Sequence, residues 1–135
     1  MDRRETISPS SWGDLDWYEE TRLSPGLRLG DLLFVSGCSG ADVYPNDPQA
    51  QIRQAYRYVG EVLHAAGSSW DFVVSVTTYH VDLHTHIDDV LKVHREFVTK
   101  RPYPAWSGIG VSDLFQPGAI FEVSAIAEVP PGDST

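Results

Sequence analysis

Two segments of this chain each carry a single apolar stripe at helical spacing, with a strand between them. In the first, Ile52, Ala55, Tyr56, Val59, Val62, Leu63 and Ala66 recur three or four residues apart, which places them on one face of a helix. Asp47-Pro48 opens that helix with a side-chain acceptor at the N-cap and proline at the first helical position, and Gly67 closes it. In the second, Ile87, Val90, Leu91, His94, Phe97 and Val98 make the stripe, and Thr85 with Asp88 reads as a capping box. Between them, residues 72–81 alternate as a strand. Phe72, Val74, Val76, Thr78 and His80 fall on one face, and Val73, Ser75, Thr77, Tyr79 and Val81 on the other. A helix with one stripe buries one side only, so both helices are expected on the same face of a single sheet.

The remaining strands complete that sheet. Leu27-Arg28-Leu29, the Gly30-Asp31 turn and Leu32–Ser36 read as two strands in a tight hairpin. Asp42–Pro48 reads as a loop. At the C-terminal end, residues 102–111 and 120–129 are two alternating runs joined by the turn-rich Ser112–Gly118, which reads as a second hairpin. The element order is then ββαβαββ, an α+β sandwich. If residue 111 pairs near residue 121, Glu122 lies opposite Gly110, on the same face as Gly108 and Trp106. No element remains for the second face of the sheet, and self-association is the natural way to cover it.

At 135 residues the chain is expected to form one domain. With 10 Lys and Arg against 19 Asp and Glu, the net charge is −9, which disfavours nucleic acid and anionic membrane as partners. The single cysteine, Cys38, excludes an intrachain disulfide. No apolar run approaches a membrane span and residues 1–5 lack a signal-type apolar stretch, so a cytoplasmic location is the expectation. Residues 1–22 are polar and acidic but contain Trp12, Trp17 and Tyr18. They read as an extension that packs on the body or on a neighbouring subunit, ahead of a domain over 23–129 and a disordered tail over 130–135.

Leu32-Leu-Phe-Val-Ser-Gly37, Gln51-Ile-Arg-Gln54, Ala65-Ala-Gly67, Pro104-Ala-Trp-Ser107, Gly110-Val111 and Phe121-Glu-Val-Ser-Ala-Ile-Ala127 together resemble the Rid family (RidA/YjgF) across roughly residues 22–129. The resemblance implies a chorismate mutase-like fold and homotrimers with clefts between subunits. It also implies hydrolysis of reactive imines or enamines without metal or cofactor. The departures from its pattern bear on activity. The arginine that follows the Pro-Ala pair in deaminating members is Trp106 here, and the cysteine two residues on is Gly108, with Ser107 kept between them. The family's tyrosine falls at Leu23 and its asparagine at Leu91. Glu122 and the Ser36-Gly37 pair are retained. This pattern is similar to an arginine-lacking, YjgH-like branch. Without the arginine a charge-assisted carboxylate contact is lost, which implies weak or no 2-iminobutanoate deaminase activity.

The candidate catalytic residue is therefore Glu122, as a general base or a water-orienting group; a solvated strand glutamate is the plain alternative. Trp106, Ser107, Gly108, Ser36, Gly37 and Cys38 are the candidate substrate-binding residues. Trp106 can stack on a ligand or pack at a subunit contact. Cys38 can line the cleft, although a lone cysteine more often serves as a small buried apolar group. His80, His84 and His86 have a suggestive spacing but no accompanying acidic or cysteine set, and no metal site is expected. Gly108-x-Gly110 lies inside a strand and is no nucleotide fingerprint. Two functions follow: an enzyme of hydrolytic or biosynthetic tailoring type acting on an electrophilic metabolite, or a non-catalytic small-molecule-binding trimer. Ribonuclease activity is the weakest reading, because the chain has no basic stripe.

Overall fold

In the computed structural model, which describes residues 2–14 and 16–132, the chain runs β1 (Arg4–Ile7), α1 (Asp16–Thr21), β2 (Gly26–Leu29), β3 (Leu32–Cys38), α2 (Pro48–Ala65), β4 (Val73–His80), α3 (Leu83–Phe97), β5 (Ala105–Gly110) and β6 (Phe121–Glu128). Local chemistry sets several of these boundaries. Gly30 takes φ 60° in the two-residue turn that pairs Leu29 with Leu32, a conformation that costs glycine little. Asp47 accepts from the Ala50 amide at 3.1 Å and Pro48 occupies the first turn of α2. Helix α3 departs from the expected capping box. It starts at Leu83, after Asp82 in the left-handed region at φ 56°, with no side-chain cap. The Val81 amide bonds the Ile120 carbonyl and the Val111 amide bonds the His80 carbonyl, so the strand is held to its end and the chain must turn at once.

The six strands form one mixed sheet in the order β1-β2-β3-β6-β4-β5. This corrects the C-terminal hairpin. β5 runs parallel to β4, from Ser75 opposite Ala105 to His80 opposite Gly110, and β6 inserts antiparallel between β3 and β4. β4, α3 and β5 thus form a strand–helix–strand crossover, for which parallel neighbours are the normal outcome. β6 alternates Phe121, Val123, Ala125 and Ala127 into the core, and a central place pairs both of its edges. Glycine-containing β5 takes the edge. The loop into β6 is held by Gln51, a buried polar residue of α2. Its Oε1 accepts from the Ile120 amide at 2.8 Å, and its Nε2 donates to the carbonyls of Tyr44 and Gly118.

Helices α2 and α3 cover one face. Ile52, Ala55, Tyr56, Val59, Val62 and Leu63 of α2, with Val90 and Val93 of α3, lose all contact with water against Leu33, Val76, Phe121 and Val123. Burial of each large apolar side chain contributes about 1.5–3 kcal/mol before entropy is counted. The facing of β4 differs from simple alternation. A register shift between Val73 and Ser75 lets Val73 join Val76, Thr78 and His80 among the buried residues while Val74 stays 43% exposed.

On the second sheet face, Leu29, Leu32, Phe34 and Ile109 are 37–44% exposed. Residues 1–22 contribute a strand, because β1 pairs with β2 from Arg4–Leu29 to Ile7–Gly26. The tail expected to be disordered falls partly on residues 133–135, outside those described. Among the described residues no helix is long and apolar enough to cross a membrane.

Candidate functional site

Glu122 lies on the second sheet face, opposite Tyr79 of β4. Its neighbour across the sheet is the Ser36-Gly37 segment, where β3 carries one extra residue: Val35 pairs with Ala125 but Cys38 pairs with Val123. Such a bulge re-aims the local chain. The Glu122 carboxyl group packs directly on bare Gly37, and a Cβ there would stand 2.7 Å from Glu122 Cδ. Among the described residues, no hydrogen bond or ion pair reaches the carboxylate, and burial raises its pKa above the usual glutamate value. A half-buried carboxylate without a cation, desolvated beside exposed backbone, is suited to take and return a proton.

The other candidates divide between the two faces. Ser107 shares the Glu122 face, in a row of hydroxyl residues with Thr77 and Ser124. Ser36 is there too, its hydroxyl donating to the Ser24 carbonyl at 2.6 Å. Leu23, Phe34 and Ser36 wall a hollow on this face. Cys38 turns toward the core, donates its thiol to the Ser36 carbonyl at 3.4 Å, and is pushed up to about 12 by burial, then by the Glu122 and Glu61 charges. It stays a protonated thiol, not a nucleophile.

Trp106 and Gly108 point the opposite way, so the shared face expected for Glu122, Trp106 and Gly108 is not formed. Parallel pairing sets Trp106 beside core-facing Val76, whereas Glu122 sits beside Tyr79 on the other side of the same strand. The Trp106 indole donates to Thr78 Oγ1 at 2.9 Å and stacks on the His94 imidazole, centroids 3.9 Å apart and planes 11° off parallel. His94 Nδ1 meets the Tyr56 hydroxyl at 2.7 Å, and burial brings the histidine down to about 4. Thr78 Oγ1 also meets His80 Nε2 at 2.7 Å. His80 is fully buried and lowered in pKa by burial, and its Nδ1 has no partner among the described residues. A Cβ on Gly108 would lie 3.4 Å from His80 Nε2, so that glycine roofs the imidazole.

His84 and His86 sit in the first turn of α3, away from buried His80. Among the described residues no three metal-ligating side chains converge. The candidates Gly37 and Cys38 also line a cleft of about 440 Å³ whose other walls sequence reasoning missed: Trp12, Trp17 and Tyr58, with Asp42 beside them. For the aromatic walls the sequence signal is a pair of tryptophans in an acidic segment, and Tyr58 lies some 40 residues away.

The family described as Endoribonuclease L-PSP matches residues 17–129. RutC family protein YjgH of Escherichia coli (strain K12) is 38% identical over 133 residues, 96% of this chain and 98% of that protein. The solved structure of protein YjgH superposes with a TM-score of 0.83 at 36% identity, covering 97% of this chain and 100% of that one. A YjgF/YER057c/UK114 family member from Mycobacterium tuberculosis gives a TM-score of 0.80 at 28% identity, over 93% and 99% of the two chains. TdcF of E. coli, solved with bound serine, gives 0.71 at 27% identity, over 78% and 87%.

Proposed function

Because the chain belongs to the Rid/YjgF family, the one described as Endoribonuclease L-PSP, we propose that it is a small-molecule enzyme acting on an imine, enamine or related electrophilic metabolite, with Glu122 handling the proton. One observation carries this reading: the Glu122 carboxylate is desolvated, has no cation partner among the described residues, and is laid on the bare backbone of Gly37 at a bulge. Water attacking a C=N carbon must lose a proton, and a carboxylate whose pKa has moved toward neutrality accepts it more readily than an ordinary one. Ser36 and Ser107 border the same face. The exposed apolar residues around them are covered in a homotrimer, whose intersubunit cleft encloses the site. The serine bound to TdcF is consistent with an amino-acid-sized ligand in this family. An acidic chain of net charge −9 is poorly matched to RNA.

Trp106 stands where a carboxylate-binding arginine would, and its side chain is turned into the helix layer. The preferred substrate is therefore an imine without a carboxylate. An anionic imine such as 2-iminobutanoate forfeits a contact worth about 2–5 kcal/mol, or about 30- to several-thousand-fold in kcat/KM. The competing reading is a non-catalytic binding trimer. It draws support from Ser36 and Cys38, whose hydroxyl and thiol are both committed to backbone carbonyls, so neither offers a nucleophile to a ligand at Glu122.

Imines generated by an amine oxidase or an amino-acid oxidase, trapped as semicarbazones, separate the two. Glu122→Gln should lower turnover of the amine-derived imine about 10²–10⁴-fold with the fold intact. An activity that survives this substitution unchanged would remove Glu122 as the proton carrier and leave a binding site.

A further inference from the structure

We propose that the cleft between the N-terminal segment and α2 binds a small organic ammonium ion. This assignment does not rest on the chemistry of Glu122, which does not line the cleft.

Trp12, Trp17 and Tyr58 form aromatic walls around a space of about 440 Å³, and Asp42 stands at their edge. The Trp12 and Tyr58 rings meet edge to face at 5.6 Å and 81°, so they present surfaces in two directions. Both are anchored by acids. Trp12 Nε1 donates to Glu61 Oε2 at 2.6 Å, and the Tyr58 hydroxyl donates to Asp42 Oδ2 at 2.7 Å. Each carboxylate thereby keeps its second oxygen free of these bonds. Burial, then Asp42, pushes the Tyr58 phenol up to about 12, so it remains a neutral donor. Among the described residues, no lysine or arginine lines the cleft. Arg57 lies in the neighbouring hollow around Glu61 and His64 instead.

An anion would face Asp42 without a counter-charge. A neutral apolar molecule would gain contact with the rings but make no use of the acid. A cation uses both, because aromatic faces attract positive charge and Asp42 adds a direct electrostatic partner. Trp17, 40% exposed on the short α1, supplies the outer wall. A tertiary or quaternary ammonium group suits such walls better than a strongly hydrated metal ion, because its alkyl surface also gains from burial.

The probe is choline, compared with its neutral isostere 3,3-dimethylbutan-1-ol and followed through the side-chain N–H signals of the four tryptophans by NMR. Choline should saturate with shifts confined to Trp12 and Trp17, Trp70 and Trp106 serving as controls. The neutral alcohol should bind about tenfold more weakly or worse. Asp42→Asn keeps an acceptor for Tyr58 but removes the charge, so it should abolish that preference. Trp17→Ala, at an exposed position, should weaken choline about tenfold. Equal binding of the two probes, shifts at Trp106 instead, or no saturation at millimolar choline would each overturn the assignment. Glu122 does not line the cleft but packs on Gly37, which does, so Glu122→Gln should weaken choline less than Asp42→Asn does. Loss of binding in the Glu122→Gln variant would place the cation at Glu122 and overturn the aromatic site, whereas failure of imine turnover alone leaves it standing.

Discussion

Gly37 and Glu122 act as one unit although 85 positions separate them in the chain. Gly37→Ala would drive a methyl group into the carboxyl group, forcing either the side chain or the bulge to move. The expected cost is about 1–3 kcal/mol in urea titrations, and most of it should vanish when Glu122 is also alanine, because the two changes couple. The acid has its own pH signature. Its folded pKa is raised, so its contribution is greatest below the unfolded glutamate value and is lost as pH rises through the folded one. Glu122→Gln should therefore leave Tm unchanged near pH 4 and raise it at pH 7, by about 1–3 °C. A charged residue inside an apolar alternation marks Glu122 in the sequence. Nothing local marks Gly37 as the surface it rests on, because that contact depends on an extra residue in another strand.

At the scale of elements, the edge strand and α3 are joined by Trp106. Its stack on His94 and its bond to Thr78 make it a structural bracket of the helix layer. Trp106→Ala should cost about 3–5 kcal/mol, seen as a lower urea midpoint, while any activity centred on Glu122 falls only in proportion to unfolding. His94 sits in the same bracket with a pKa brought down to about 4. A histidine depressed on folding stabilises above its unfolded pKa, and that stability is lost as pH falls through the folded one. Tm should decline between about pH 6.5 and 4. His94→Gln should flatten that decline if His94 causes it, and a thermal shift series across this range measures both. The helical stripe containing His94 was legible from its spacing. The indole below it was not, because the pairing partner of β5 was unknown.

For the whole molecule, the proposed trimer makes the exposed Leu32 and Phe34 interior. Phe34→Asp should convert the particle from three times the mass of one chain to a single chain by light scattering, with its circular dichroism retained, since Phe34 is already 39% exposed in the isolated fold. A wild-type protein that runs as a monomer at micromolar concentration would remove both the trimer and its intersubunit cleft. The same experiment bears on the N-terminal residues, whose β1 strand borders β2 at the sheet edge. A segment already paired in its own protomer does not need a neighbour to order it.

By itself the sequence determined what short-range physics controls: the span of α2 from Asp47-Pro48 to Gly67, the Gly30-Asp31 turn, the apolar stripes that send both long helices to one face, and Glu122 as the misplaced acid. Those features depend on side-chain periodicity and on backbone preferences a few residues long. Tertiary structure alone decided where β6 lies, and with it which candidates meet. Two alternating strands joined by a ten-residue connection satisfy their backbone equally well as a hairpin or with β4 between them. The choice is made by pairing to β3 and β4 and by the Gln51 clamp on the loop. That choice set Trp106 against His94 and left Glu122 alone with Gly37, because a strand's two faces are fixed only once its neighbours are.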